Sequence, residues 1–299
     1  MLKAEHLLAF CLAAKQKSIS AAAKQLGLSQ PAVSGQLAAL QKQAKQILYQ
    51  RSSHGIELTP AGNELLPYAC AVAKTYQQAQ SFLRGDSASG SVQLNIGLSH
   101  HLVPMFTGPI LKATRTYNRE KASLEVHLRE GYSHRLVELV KARDLDAAFI
   151  ISSKGQDLRP LQLESIAREA IVLLVKPDDP LASDGRLPLQ SLNEETLILS
   201  SSQSEVYRKV LGCLADNAIQ PGRLLEVSGP EAVRHAVMDG LGIGVTLASY
   251  VAREIEAGWL IAVTIEQPDF QVEIVRISHD LASLDPKKAE ALSAILETG

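Results

Sequence analysis

Residues 18–34 read Ser18-Ile19-Ser20-Ala21-Ala22-Ala23-Lys24-Gln25-Leu26-Gly27-Leu28-Ser29-Gln30-Pro31-Ala32-Val33-Ser34, and this stretch decides the N-terminal fold. Ser20 offers a capping hydroxyl to residues 21–26, a run of strong helix formers that stops at Gly27, a favoured helix terminator. Ser29 then caps a further helix, expected from about 30 to 43. Pro31 falls in its first turn, where a missing N–H costs nothing. Two short helices joined by a tight glycine-containing turn make a helix-turn-helix. Ala22 and Ala23 are small enough for a close crossing, and Leu26, Val33 and Leu37 face inward. The outer face presents Gln30, Ser34 and Gln41 beside Gly35 and Ala38, on the half of the helix where a recognition helix meets base edges. Glutamine pairs with adenine through two hydrogen bonds, and a serine hydroxyl serves base or phosphate. Taken singly, each of these residues also reads as a cap or a solvated side chain.

Upstream, Leu7, Leu8, Phe10, Cys11, Leu12 and Ala14 are too densely apolar for a one-faced surface helix and suit a buried support helix ending near Lys17. The charge distribution agrees with a DNA-facing head. Residues 1–60 hold seven basic side chains against Glu5 and Glu57, a net +5, which leaves −7 on the remaining chain. The 299 residues suit two or three folding units, and 46% hydrophobic with 21% charged residues excludes a disordered chain. Cys11, Cys70 and Cys213 are odd in number, far apart and lack CxxC spacing, so no metal site or redox pair is expected and a reducing cytoplasm is the natural setting. The apolar run from Leu7 is too short and too closely followed by Lys15 and Lys17 for an export signal, and no stretch has the length to span a membrane.

The residues 18–34, followed by Gln36, Leu37 and Leu40, resemble the N-terminal signature of LysR-type transcriptional regulators. The similarity continues through Leu48-Tyr49-Gln50-Arg51, the turn Ser52-Ser53-His54-Gly55, and residues 56–62. These last segments look like the family's wing and the entry to its linker helix. The resemblance implies a winged helix-turn-helix over residues 1–60 that binds double-stranded promoter DNA through Ser20, Ser29, Gln30, Pro31, Ser34, Gln36, Lys42, Arg51 and His54. Two departures stand out. Gly35 occupies a place where the family usually carries a basic residue, and Leu40-Gln41-Lys42-Gln43-Ala44-Lys45 replaces an acidic run. Gly35 removes one expected contact to DNA.

Thr59 caps a helix with Pro60 at its first position, expected to reach Leu83 before a connector at 84–90. Leu65, Ala69, Val72, Tyr76, Ala79 and Leu83 recur at heptad spacing, and Pro67 should bend the helix. The seam alone is equally open to packing on the chain's own body. The resemblance implies dimerisation through this linker, 61–89, and a homodimer or homotetramer.

Beyond residue 90 the pattern alternates strands (92–98, 124–128, 145–151) with helices (102–117, 133–141), and a second set follows to residue 247. A tail strand at 272–277 and a final helix near 286–296 are expected to return to the first subdomain. The fold class is thus an α/β sensor of two subdomains, about 90–165 plus 266–299 and about 166–265, with strands and helices of a parallel type. It resembles the same family's effector domain, and through it periplasmic solute-binding proteins, by Glu130-Gly131, Leu136, residues 145–148 and Gly240-Leu241-Gly242-Ile243-Gly244.

Ligands of such sheets sit beyond the carboxyl ends of the strands, on helix N-termini that suit anions. Ser99, His100, Ser133, Ser200, Ser201, Ser202, Gln203, Ser228 and Thr246 fall there, although each serine also reads as a plain helix cap. A small organic acid is the expected effector. Met105 and Tyr132 near the mouth allow an aromatic carboxylate. An enzyme is the competing class, and His100-His101 its best argument. No HExxH, GxSxG or phosphate-loop sequence completes a site, and the glycines at 240–244 precede a strand where a dinucleotide loop follows one. No cofactor or metal is expected. A transport binding protein would need an export signal and no DNA-binding head.

Overall fold

The computed structural model describes residues 2–52, 55–83, 91–121, 123–153, 155–183, 185–267 and 270–296. The chain divides into two compact units, one of Met1–Gly90 with Lys141–Asp144 and one of Ser91–Val140 with Leu145–Gly299.

The first unit runs α1 (Ala4–Gln16), α2 (Ile19–Leu26), α3 (Gln30–Ala44), β1 (Tyr49–Ser52), β2 (Gly55–Leu58) and α4 (Pro60–Leu83). Lys17 adopts a left-handed backbone, φ 49°, that ends α1 and leaves Ser18 extended. The cap of α2 is therefore Ser18, whose Oγ accepts the Ala21 N–H at 3.2 Å, and not Ser20 as the sequence suggested. Gly27, φ 66°, closes α2, and Ser29 caps α3 by accepting the Ala32 N–H. Phe10, Ala22, Val33, Leu37 and Leu40 are buried together, so α1 supports the helix-turn-helix as its composition predicted. At full burial a leucine or phenylalanine contributes about 1.5–3 kcal/mol.

The antiparallel pair β1 and β2 forms the wing. Gly55, φ 119°, lets it fold back on the end of α1, where the Ile56 N–H reaches the Lys17 carbonyl at 3.1 Å. A Cβ at Gly55 would lie 1.9 Å from that carbonyl oxygen. Thr59 caps α4 by accepting the Gly62 N–H, and the helix continues through Pro67. Ala69, Cys70 and Ala73 of α4 are buried in the same core as α1. Ala69 of the heptad seam is thus used within the chain, whereas Tyr76 and Leu83 remain exposed.

The second unit contains β3 (Val92–Ser99), α5 (Val103–Glu120), β4 (Leu124–Gly131), α6 (Ser133–Lys141), β5 (Ala147–Ile151), β6 (Gln162–Val175), β7 (Arg186–Leu187), β8 (Thr196–Leu199), α7 (Glu205–Asp216), β9 (Arg223–Glu226), α8 (Pro230–Met238), β10 (Ile243–Leu247), α9 (Ala252–Glu256), β11 (Ile261–Ile265), β12 (Gln271–Ser278) and α10 (Pro286–Leu296). The strand order is β4-β3-β5-β12-β6-β10-β8-β9, with β11 also on β6 and β7 on β11. Strands β4, β3 and β5 are parallel, as are β10, β8 and β9. The fourteen-residue β6 joins the two sets: its first half pairs antiparallel with β12, and its second half with β10 and β11. The tail strand β12 does return to the first set, pairing with β5. Phe106 of α5 stacks on Phe149 of β5, ring centroids 4.1 Å apart, at the middle of the larger core. The glycines at 240–244 form the turn from α8 into β10, which is a packing element and no dinucleotide loop.

Candidate functional site

In the first unit, α3 exposes Gln30, Pro31, Ala32, Gly35, Ala38 and Lys42 on one side and buries Val33, Leu37 and Leu40 on the other. Ser20 donates its hydroxyl to Gln30 Oε1 at 3.0 Å, which ties the exposed glutamine side chain through its carbonyl oxygen. Ser34 is half-buried and Ser29 is occupied as a cap. Two glutamines sit differently from the sequence expectation. Gln36 Oε1 is buried, because position 36 flanks the inward row of Val33, Leu37 and Leu40. Gln41 does not face outward: its Oε1 accepts the Leu48 and Tyr49 N–H groups and so anchors the start of the wing. Arg51 on β1 and Lys42 are exposed, and neither has an acidic partner within ion-pair distance among the described residues. His54 lies outside the described residues, as does the connector at 84–90. At Gly35 an added Cβ meets nothing within 4 Å.

In the second unit, strand register brings the predicted polar residues together. The pairing of β3 with β4 sets Ser99 beside Gly131, and the start of α6 follows two residues later. Ser133 Oγ lies 3.4 Å from Ser99 Oγ and accepts the Ile151 N–H at 3.2 Å. Across the cavity, the parallel register of β10 with β8, Gly244 beside Ile198, brings Thr246 level with Ser200. Ser99, His100, His101, Tyr132, Ser133, Ser200, Ser204, Glu205, Gly229 and Pro230 enclose a cavity of about 10 Å³. That is the room one water molecule needs. Tyr132 donates to the Ser228 carbonyl at 3.4 Å and packs on the His100 ring at 4.5 Å, so the two sets of strands are drawn shut at the mouth.

Four helix starts meet there: the turn at His100 that leads into α5, then α6, α7 and α8. Each free helix N-terminus carries roughly half a positive charge. Glu205 also faces the cavity, but it occupies the first turn of α7 and is ion-paired with Arg208. Glu130 lies at the cavity's edge, 4.0 Å from His100 Nε2, and Glu231 stands in the first turn of α8, so converging helix N-termini and carboxylates both border the site. Its histidines are held toward the neutral form, in which each ring has one donor and one acceptor nitrogen. Burial holds His100 below the ordinary imidazole value despite Glu130 at 4.0 Å, and burial, with His100 beside it, pushes His101 down to about 3. His100 Nδ1, His101 Nε2, Ser200 Oγ and Thr246 Oγ1 are all buried without a hydrogen-bond partner among the described residues.

The structure therefore gathers Ser99, His100, Ser133, Ser200 and the neighbouring Thr246, and leaves Ser201, Ser202 and Gln203 outside the cavity. Ser202 N–H binds Glu226, Ser201 Oγ accepts the Gln203 N–H, and Ser202 and Gln203 are exposed. Ser228 is exposed and offers only its carbonyl to Tyr132. The cause is a turn of the chain after Ser200 that points Ser204 inward as the cap of α7 in place of its three predecessors. His101, read from the sequence as a strand-end neighbour of His100, does line the cavity, whereas Ser204, Glu205, Gly229 and Pro230 were missed. A capping-serine pattern at Ser204, followed by the apolar Val206 and Val210, was the signal that could have found them.

A family profile described as "LysR substrate binding domain" matches residues 87–299, and one described as "Bacterial regulatory helix-turn-helix protein, lysR family" matches residues 4–63. An uncharacterized HTH-type transcriptional regulator of Methanocaldococcus jannaschii is 24% identical over 302 residues, 99% of this chain and 97% of its own. The HTH-type transcriptional regulator GltR of Bacillus subtilis is 26% identical over 96% of this chain and 92% of its own. The structure of ArgP from Mycobacterium tuberculosis superposes with a TM-score of 0.73 at 16% identity, covering all of this chain and 97% of that one. With a polar cavity at the strand ends of one unit and an exposed recognition-type helix in the other, and with both family profiles matched, the chain belongs to the LysR family of bacterial helix-turn-helix transcriptional regulators.

Proposed function

We propose that this regulator binds promoter DNA as a homodimer or homotetramer in the cytoplasm, and that a small organic acid held in the cavity of the second unit controls it. The observation that carries the effector reading is the set of four buried polar atoms without partners, on His100, His101, Ser200 and Thr246, beside four helix N-termini. Leaving one such atom unpaired costs about 1–3 kcal/mol, so a ligand that satisfies several gains that free energy on entering. An anion gains the helix N-termini as well.

In this closed arrangement the cavity has the room of one water molecule, so a carboxylate enters only when the two sets of strands part at the mouth held by Tyr132 and Ser228. A larger body, an aromatic ring included, has room in the adjoining groove of about 900 Å³ that shares Glu205 and is lined by Ser152, Arg168, Lys209 and Val272. Calorimetry with a panel of small carboxylates and their amides tests this. Binding of the acids with loss of affinity in the amides is expected, and equal affinity for both would refute an anion site. On DNA, the exposed Gln30, tied through its carbonyl oxygen by Ser20, supports readout of a base edge by α3, while Lys42 and Arg51 suit phosphates. A dimeric helix-turn-helix reads two half-sites, so the operator should be a near-palindrome, and a footprint covering one half-site alone would refute it.

A further inference from the structure

Cys11 and Cys70, 59 residues apart in the chain, lie side by side in the structure as a bonded pair with Cα atoms 5.1 Å apart, although nothing in their spacing joins them. That separation is ordinary for a disulfide. One cysteine belongs to α1, the support of the helix-turn-helix, and the other to α4. Both are buried, 3% and 2% exposed. Ala9 and Ala13 on α1 and Ala69 and Ala73 on α4 are buried around them, and such small side chains let the two helices approach closely enough for the sulfurs to meet. The remaining cysteine, Cys213, takes no part in this bond and belongs to the other unit.

We propose that Cys11 and Cys70 form a thiol–disulfide site that locks α4 onto the DNA-binding head, making the rigidity of that head depend on the redox state. The oxidant is a low-molecular-weight disulfide. One thiolate attacks it and releases one small thiol, leaving a mixed disulfide. The second thiolate displaces the other small thiol and closes the protein bond, so two protein thiols are oxidised, one small disulfide is reduced to two thiols, and two protein protons leave. Burial of both sulfurs bars the reagent, so exchange proceeds only when α4 opens from α1. The bond therefore forms and breaks slowly in the folded chain and registers sustained oxidation. Once closed, it removes freedom from a 59-residue loop and opposes separation of the two helices.

The full-length wild-type chain is equilibrated with oxidised or reduced glutathione, then unfolded, alkylated and mapped by mass spectrometry, with amide hydrogen exchange measured on both forms. The expected result is a linked peptide pair containing Cys11 and Cys70, with Cys213 alkylated, and exchange of α1 and α4 at least tenfold slower in the oxidised form. A Cys213→Ser chain should behave identically. Alkylation of both Cys11 and Cys70 after oxidation would overturn the proposal. So would glutathione adducts in place of the bond, or a bond that leaves the exchange of α1 and α4 unchanged.

Discussion

Acidification should weaken the second unit through His101, and the size of the effect follows from its burial. The imidazole is 2% exposed, with Nε2 unpartnered, and its pKa falls from the ordinary 6.5 to about 3 because burial penalises the charged ring. A histidine depressed in the folded state binds more protons when unfolded. Its contribution to stability is therefore complete above about pH 6.5 and is lost as the pH falls from there toward 3. Between pH 7 and pH 5 a single group shifted this far loses about 2 kcal/mol. The measurement is urea unfolding of wild type and His101→Gln at both pH values, followed by a probe in the second unit, with the ring titrated by NMR in the folded protein. The variant should lack about 2 kcal/mol of the wild-type pH dependence. An identical pH dependence in the two proteins, or a ring that titrates near pH 6 while folded, would refute the burial argument. It would also restore a charged histidine to the effector site.

Ser200→Ala and Thr246→Val remove buried hydroxyls that have no partner, so each should leave the ligand-free protein as stable or more stable by up to about 1–2 kcal/mol, read by thermal unfolding. The same changes should weaken carboxylate binding roughly tenfold or more by calorimetry. Gly35→Ala places a methyl group in open space in the middle of α3 and should stabilise the head by about 0.5–1 kcal/mol in urea unfolding. Gln30→Ala should cost about 1–3 kcal/mol on operator DNA and little on random DNA. Arg51→Ala should weaken both alike and flatten the salt dependence, as measured by fluorescence anisotropy.

The head was legible because its signals are local. Capping by Ser29, termination at Gly27, Pro31 in the first turn and Thr59 before Pro60 are each settled within four residues, and the structure keeps all of them. The one shifted cap, Ser18 for Ser20, came from the left-handed backbone at Lys17, which no residue type there announces. The strands beyond residue 90 were legible by their apolar runs, and strand ends located Ser99, Ser133, Ser200 and Thr246 as a group.

Which of those hydroxyls share one cavity was decided by register and packing, through Ser99 beside Gly131 and Ser200 across from them, with Thr246 buried outside the lining, because register is a long-range property of paired strands. The turn after Ser200 likewise chose Ser204 and Glu205 over Ser201, Ser202 and Gln203. The long β6 that joins both strand sets, the role of Gln41 in anchoring the wing, and the meeting of Cys11 with Cys70 depend on packing between segments distant in the chain. The sequence by itself determined the family, the order of helices and strands and the end of the sheet where a ligand belongs, since these rest on nearest neighbours and periodicity. Only the tertiary structure decided which side chains meet, because that is fixed by which distant surfaces bury one another.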